Sequence, residues 1–179
     1  MSREFRRIVT TNDSNGKSEV LIDGPATNEL ASILTEMWVT DAGSHNHTDR
    51  LDHAMKSRSL EPPAGGTVFR FFRLPPMSAF EGVSKVAARA TRCGSLRLDE
   101  CDPHPPRRQQ TSRHAPDADD GHIVLLSGKV WLVLDEEERD LEPFDVVVQR
   151  GTNHAWVNTG SEEALLMSVL VDDGSATER

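Results

Sequence analysis

Tyrosine is absent from this chain of 179 residues, and cysteine occurs only as Cys93 and Cys101. Two cysteines do not make a disulfide framework, so we expect free thiols. Three Trp and six Phe are the only aromatic residues, which disfavours a surface built on stacking with nucleic-acid bases. No apolar run approaches the roughly 18 residues that a transmembrane helix needs. These shortages count against disulfide-stabilised, base-stacking and membrane-spanning proteins.

Basic residues are also in the minority, since 20 Lys and Arg stand against 29 Asp and Glu and leave a formal net charge of −9. An acidic surface repels phosphate backbones and anionic lipids, so we expect no nucleic-acid and no membrane partner. The first residues lack the apolar stretch of a signal peptide, and the expected location is the cytoplasm. The length and the 36% hydrophobic content fit one domain with one core.

The N-terminal part of the chain predicts a β-hairpin. Arg6–Thr10 and Ser18–Ile22 are short extended runs. Between them lie Asn15 and Gly16, which form a strong hairpin signal because both residue types tolerate the positive φ angles of a type I′ turn. The following segment, Ile33–Thr40, fits either a strand or the end of a helix.

The middle of the chain predicts one more strand among polar loops. Residues 41–66 are polar and end in proline and glycine pairs, which is typical of a long solvated loop. Thr67–Leu74 is β-rich and is stopped by two prolines. Ala79–Cys93 has apolar residues at helical spacing and predicts a short helix. The histidines of the polar loop are His45, His47 and His53.

The C-terminal part contains five β-rich segments within about fifty residues, separated by turn signals and without intervening helices. Short strands at this density predict an all-β sandwich or barrel rather than a parallel sheet. Between the second and third segments, Asp135–Asp140 is a turn signal, and its charge run Glu136–Glu138 is interpreted as a solvated hairpin tip. The five segments are His122–Ser127, Lys129–Asp135, Asp145–Gln149, His154–Asn158 and Ala164–Val171.

The turns between these segments resemble those of a known family. In Gly151–Asn158 a Gly is followed three residues later by His and four residues after that by Asn, which is similar to the second cupin motif. Leu141–Asp145 matches the preceding turn, with Phe144 where the family usually has Gly. Ile123–Leu134 resembles the end of the first motif, whose Gly is Gly128. The chain thus resembles the small single-domain cupins.

This resemblance implies a double-stranded β-helix, which is a jelly-roll barrel with a ligand site at its mouth. It also extends to Arg6–Pro25, Thr35–Trp38 and Pro62–Pro76, and it favours the strand at Ile33–Thr40. We expect the barrel to span residues 67–172, with the strands and polar loop of residues 1–66 packed on it and a disordered tail at 173–179. Similar cupins exchange N-terminal strands, so a homodimer is expected.

The resemblance also identifies candidate metal ligands. Aligned back from Gly128, the first motif places its first His at His114, its second at Pro116 and its Glu at Gly121. Two of four ligands are therefore missing, while the His of the second motif is present. Asp120 can supply a carboxylate if the strand slips by one residue, and two His with one carboxylate suit Fe(II) or Mn(II). The predicted set is His114, Asp120 and His154, with Fe(II), Mn(II), Zn(II) and no metal all left open.

The candidate catalytic residues are His154 and His114, against the alternatives of a buried core histidine and a solvated one. Strand alternation places His154 and Trp156 on one face, and Trp156 is a candidate for lining the ligand. Arg70 on Thr67–Leu74 is a candidate for binding a substrate carboxylate bidentately. His122 is a third candidate for substrate binding, although alternation aims it at the opposite face unless the register shifts.

The preferred hypothesis is a small-molecule enzyme in which His residues move protons on a carbonyl compound. An imidazole suits this work because its ordinary pKa of about 6.5 is close to working pH. The resemblance implies secondary-metabolite, polyketide-like lyase or isomerase chemistry such as decarboxylation, dehydration or cyclisation. A metal-dependent dioxygenase and a non-catalytic ligand-binding cupin are the alternatives.

Overall fold

Strands dominate the structure, which is a computed structural model that describes residues 4–30, 33–42, 49–56, 60–80 and 119–172. The described residues form eleven strands and two single-turn 3-10 helices, His53–Lys56 and Met77–Phe80. The strands are β1 (Arg6–Asn12), β2 (Ser18–Pro25), β3 (Glu29–Leu30), β4 (Leu34–Thr40), β5 (Thr67–Leu74), β6 (Asp119–Ser127), β7 (Val130–Val133), β8 (Glu138–Leu141), β9 (Val146–Arg150), β10 (Ala155–Asn158) and β11 (Ala164–Asp172).

Two antiparallel sheets make the barrel. The larger has the strand order β3-β4-β5-β11-β6-β9 and the smaller has the order β10-β7-β8. Side chains from the inner faces of both sheets meet in one apolar core, and each fully buried aliphatic side chain contributes about 1.5–3 kcal/mol. The all-β prediction is confirmed. The core residues are Leu74, Ile123, Leu125, Val130, Leu132, Leu141, Trp156, Ala164 and Leu166.

Two of the predicted barrel turns have left-handed residues at their corners. Gly128 joins β6 to β7 with a φ of 94°, and an added Cβ there would lie 2.5 Å from the Cβ of Ala164. The β8–β9 connection is a turn in which the Asp145 amide donates to the Glu142 carbonyl over 3.0 Å. Phe144 occupies its third position with a φ of 77°, where a type II turn normally has Gly. The departure from the family pattern at Phe144 therefore produces a strained backbone.

The N-terminal hairpin forms as predicted, but its turn is of another kind. Gly16 has a φ of 76° and Asn15 does not have a positive φ, whereas a type I′ turn needs both. The Asp13 carboxylate accepts hydrogen bonds from the amides of Asn15 and Lys17, each over 2.8 Å. This side-chain cap satisfies the turn without a second left-handed residue.

The hairpin packs on the outer face of β5 in its own chain. Phe5, just before β1, stacks on Phe71 with ring centroids 4.4 Å apart, and the Arg73 guanidinium lies 4.6 Å from the Phe5 ring centre. Arg7 is buried and pairs with Asp52 through two hydrogen bonds, one of them 2.7 Å long. The hairpin thus has an intramolecular packing surface, and the homodimer stays a prediction.

Several sequence-based expectations differ from the structure. The strand at Leu34–Thr40 is confirmed, and it pairs directly with β5 inside the larger sheet. The strand β8 lies in a segment expected to be mostly turn, because Glu138–Leu141 pairs with β7 although three of its four side chains are exposed. His53 is not solvated: it is 4% exposed and stacks on Trp38 at 5.0 Å.

Other expectations fall on residues that the structure does not describe. These are the predicted helix beyond Phe80, the two cysteines, His45, His47 and the tail 173–179. Within the described ranges, no helix is long and apolar enough to cross a membrane.

Replacing Phe144 with Gly is expected to stabilise the protein. The Phe144 side chain is 78% exposed, so little packing is lost, while the left-handed strain of about 1–2 kcal/mol is removed. Part of this gain is offset because Gly is more flexible in the unfolded chain, which leaves about 0.5–1 kcal/mol. Thermal unfolding would measure the change, with Phe144→Ala as the control that removes the ring and keeps the strain. An equal gain in both variants would contradict the backbone explanation.

Acid is expected to weaken the attachment of the hairpin through Asp52. The hydrogen bond from Arg7 holds the pKa of the Asp52 carboxyl below its ordinary value. A carboxyl with a lowered pKa in the folded state adds stability above its unfolded pKa of about 3.9, and this stability is lost as the pH falls through the folded value. Asp52→Asn should cost about 2 kcal/mol at neutral pH, because it weakens a charge-assisted bond. Denaturant unfolding between pH 7 and pH 2 should show the two proteins converging in acid; a constant difference would refute this role.

Candidate functional site

A buried ion pair lies on the inner face of the larger sheet. Alternation along β5 turns Arg70 towards the inside together with Phe72 and Leu74. Register places Arg70 directly opposite Glu36 of β4. A guanidinium nitrogen of Arg70 lies 3.1 Å from Oε1 of Glu36, and the two side chains are 4% and 0% exposed. A charged pair is thus enclosed within an otherwise largely apolar barrel.

A buried serine and a second carboxylate belong to the environment of Arg70. Ser168 of β11 stands opposite Arg70 on the other side of β5 and is 2% exposed. Burial lowers the pKa of Arg70, while the carboxylates of Glu36 and Glu61 act in the opposite direction. Because arginine starts from a pKa above 12, it remains a cation at neutral pH.

His154 lies at the start of β10 and is half-buried. Its Nδ1 is 3.0 Å from the carbonyl oxygen of Thr152. A carbonyl only accepts hydrogen bonds, so in the neutral ring Nδ1 carries the proton and Nε2 has the lone pair. Gln149 donates to the same carbonyl over 2.7 Å and also to the Thr152 hydroxyl. Hydrogen bonds from the Gln149 side chain therefore hold the β9–β10 turn in place. The Thr152 carbonyl of this turn in turn determines the tautomer of His154.

Aromatic contacts connect His154 with the inner face that carries Arg70. The His154 and Trp156 rings meet edge to face, with centroids 5.7 Å apart. Trp156 meets Phe72 of the opposite sheet at 6.3 Å, also edge to face. Phe72 lies two residues from Arg70 on the same face of β5. His154 and Trp156 are thus in contact, and the buried Trp156 belongs to the apolar core of the barrel.

Arg70 and Arg73, on the same strand, lie on opposite faces. Arg73 contacts Phe5 on the outer face and donates to the Thr35 hydroxyl over 3.4 Å. Of the two, Arg70 is the one on the inner face of the sheet. Its predicted role in substrate binding stays a prediction.

The structure places Asp120 and His122 away from this interior. Along β6 the inward side chains are those of Ile123 and Leu125, whereas His122 is exposed. Asp120 shares the parity of His122 and lies on the outer face of the sheet. The register that would turn these residues inward does not occur, since β6 pairs regularly with both β9 and β11 over Asp120–Val124.

The described residues do not assemble the metal centre of the first motif. No group of three His, Cys, Asp or Glu suitable for a metal is found within the described ranges. Asp120 and His154 lie on different faces, and His114 is outside the described residues. Gly121, which stands at the family's Glu position, does face inward, but an added Cβ would lie 2.9 Å from Cδ1 of Ile123. We therefore derive no step through a metal.

Asn158 has a structural role. Its side-chain amide donates to the carbonyls of Leu74 and Glu162, each over 2.7 Å, and its oxygen accepts from the Gly160 amide over 2.8 Å. The side chain is buried and ties the β10–β11 turn to the end of β5. All of its bonds go to backbone groups, so it holds the turn in place.

The sequence analysis did not identify Glu36 or Gln149. Glu36 lies in a short strand, and no sequence motif links it to Arg70 as the partner of an ion pair. The available signal is weak: Glu36 is the one acidic residue within Leu34–Thr40, and an isolated charge in a buried strand requires a partner. Gln149 carried no signal, since its partner becomes evident only when the turn is folded.

Comparisons with known proteins find structural likenesses at low identity and no match in sequence. No family model matches the chain, and no curated protein matches it. The cupin domain of Cnp3 from Schizosaccharomyces pombe is similar in structure, at 12% identity and a TM-score of 0.44 over all of this chain and 90% of that one. A cupin 2 domain-containing protein from Halorhodospira halophila matches at 14% identity, with a TM-score of 0.41 over 93% of this chain and 76% of that one.

A third similar structure is a predicted oxalate decarboxylase from Thermotoga maritima, at 15% identity and a TM-score of 0.37 over 58% of this chain. The match spans 64% of that protein's length. Likenesses at this level say nothing about activity. The structure itself has two facing antiparallel sheets, with left-handed turn residues at Gly128, Phe144 and Gly151.

Gly121→Glu is expected to destabilise the protein without creating a metal site. The nearest atoms to an added Cβ, on Ile123, Gln149 and Leu170, lie within 3.3 Å, so the new side chain overpacks the interior at a cost of about 1–3 kcal/mol. Gly24→Glu is the matched control, because nothing lies within 4 Å of its Cβ position. Thermal unfolding with and without Mn(II) would measure both effects. If Mn(II) stabilised the Gly121→Glu protein, the conclusion that the first-motif residues form no metal site would be wrong.

Proposed function

We propose that this protein is a small-molecule enzyme of the lyase or isomerase type, which moves a proton next to a carbonyl group inside the barrel. The observation that carries the proposal is the fixed tautomer of His154, whose Nδ1 lies 3.0 Å from the Thr152 carbonyl oxygen. This arrangement leaves the lone pair on Nε2 of a half-buried ring beside Trp156. A neutral imidazole with a lone pair on one ring nitrogen can act as a general base.

The step is a proton transfer from carbon to nitrogen. Nε2 of His154 takes the proton from the carbon beside the carbonyl, and the bonding pair moves into an enolate. Return of the proton to another carbon gives an isomer, and loss of a leaving group at the next carbon gives the product of a lyase. The buried Trp156 ring lies against His154 and limits water on that side, which strengthens electrostatic stabilisation of the enolate.

Non-catalytic ligand binding is a second candidate, and one observation favours it. Among the described residues His154 contacts a carbonyl and an aromatic ring, and no carboxylate is recorded against it. A carboxylate partner often raises the basicity of a catalytic histidine. A metal-dependent dioxygenase requires further ligands, of which the described residues supply only His154.

His154→Ala tests the enzymatic proposal. Proton abstraction beside a carbonyl exchanges that hydrogen with solvent, so ketones of about the size of 4-phenylbutan-2-one in D₂O report it by proton NMR. We expect the wild type to accelerate exchange, and His154→Ala to reduce that acceleration by about 10²–10⁴-fold. The fold should be nearly intact, because one hydrogen bond from a half-buried ring is lost.

His122→Ala provides the matched control, since His122 is an exposed histidine on the outer face of β6. It should exchange the ketones at the wild-type rate. If His154→Ala unfolds at a much lower temperature and its folded fraction keeps full activity, His154 is a core residue. If the wild type exchanges none of the ketones faster than His154→Ala does, the enzymatic proposal is wrong and ligand binding is favoured.

A further inference from the structure

The outer face of the larger sheet carries two rows of mainly apolar side chains that cross it from β4 to β9. Register places the members of each row side by side on neighbouring strands, and His122 is the one ionisable side chain among them. Side chains at this spacing form one continuous surface. The first row is Thr35, Phe71, Met167, Val124 and Val146, and the second is Trp38, Phe69, Val169, His122 and Val148.

Only part of this surface is covered by the rest of the described chain. At the β4 end Thr35 is 1% exposed, whereas at the β9 end Val146 and Val148 are 63% and 56% exposed. An edge strand is usually protected by charged side chains or by other elements, and contiguous exposed apolar residues mark interaction sites. The uncovered part is the outer face of β11, β6 and β9. This part, here called the open face, consists of His122, Val124, Val146, Val148, Met167 and Val169.

The open face is locally neutral, although the chain is acidic. The formal net charge of the chain is −9, but the open face contains no carboxylate. At its end, Asp120 and Arg150 stand opposite each other on β6 and β9 and balance in charge. An acidic or a basic partner therefore gains no electrostatic attraction from the open face. The partner that it fits is another neutral, apolar surface, and every further copy of this chain supplies one.

The N-terminal hairpin restricts where a second copy can pack. Phe5 stacks on Phe71 at 4.4 Å, so the hairpin occupies the layer above β5. Packed sheets lie about 10 Å apart, and a second sheet in that layer therefore fits over the open face beside the hairpin. A two-fold axis through the open face brings β6 and β9 of each copy against those of the other. Each hairpin then lies next to the sheet edge of the other copy, and the contact is closed and symmetric.

The size of the open face agrees with a dimer of moderate affinity. Three strands about 4.8 Å apart, over the five residues of β9 at about 3.3 Å each, give roughly 240 Å² in projection. A standard interface buries about 800 Å² of accessible surface per partner. The flanking hairpins have to add to the contact, so we expect a dissociation constant in the micromolar range.

From these observations we propose that the open face binds a second copy of this chain, so that the protein is a two-fold dimer with its larger sheets packed face to face. The inference is independent of the proposed function, since the dimer does not require proton transfer at His154. It assigns a surface to the expected homodimer. It also differs from an exchange of N-terminal strands, because each hairpin stays on its own chain.

Lysine substitutions on β9 test the proposal. Val146→Lys and Val148→Lys change side chains that are exposed in the single chain, so the barrel should fold as before. The two-fold axis introduces each new charge twice into a neutral contact, and each variant should therefore weaken dimerisation at least about tenfold. Sedimentation equilibrium from about 1 to 100 µM would measure this against a wild-type dissociation constant at or below about 10 µM.

Leu51→Lys is the matched control. Leu51 is 60% exposed, and it lies next to Asp52, which binds Arg7 of the hairpin at the opposite side of the sheet. The same charge is thus added away from the open face, and this variant should dimerise like the wild type. A dimer that both β9 variants retain, or that Leu51→Lys weakens equally, would overturn the proposal.

Methyl NMR locates the contact without any substitution. Dilution of the wild type should shift the methyl signals of Val124, Val146 and Val148 and leave those of Leu51 unchanged. Shifts confined to other residues would show that the dimer forms elsewhere, against the proposal. A wild type that is monomeric at about 100 µM would also overturn it, whether the open face is then bare or covered by residues 81–118 of the same chain.

Discussion

Strand β5 is covered on both of its faces, and this constraint organises the rest of the molecule. Its inner side chains, including Phe72 and Leu74, pack into the core of the barrel. Its outer side chains support the N-terminal hairpin through Phe71 and Arg73. Because alternation sends neighbouring residues to opposite faces, one eight-residue strand contributes to both the interior and the hairpin contact. The β4 and β11 strands that flank it complete the inner wall.

The interior is divided into an apolar part and a polar part. The core cluster, which includes Leu125 and Leu166, contains no charge. Further along the same sheet, Glu36 and Arg70 are buried together, with Ser168 opposite. In a structural barrel, uniform apolar packing would be the stable solution. The division therefore separates an apolar core from a buried charged pair on the same sheet.

The candidate site was partly foreseeable from the sequence. His154 and Trp156 could be assigned to one face, because alternation within a short strand is a local property. The same rule indicated that His122 turns outward, as found. Glu36 could not be assigned, because its role depends on a neighbour 34 positions away (70 − 36) that becomes adjacent only when β4 and β5 pair. Asp120 was placed in the metal set through a register slip that the regular pairing of β6 does not contain.

By itself, the sequence determined most of the strands, most of the turns and the all-β class, because these follow from alternation, glycine and proline over a few residues. Only the tertiary structure decided which charged residues enter the interior and which face carries the hairpin. Strand β8 shows the same limit, since Glu138–Leu141 becomes a strand by pairing with β7 despite a charged sequence. The physical reason is that strand pairing and burial depend on two segments coming together, so the sequence of one segment alone does not determine them.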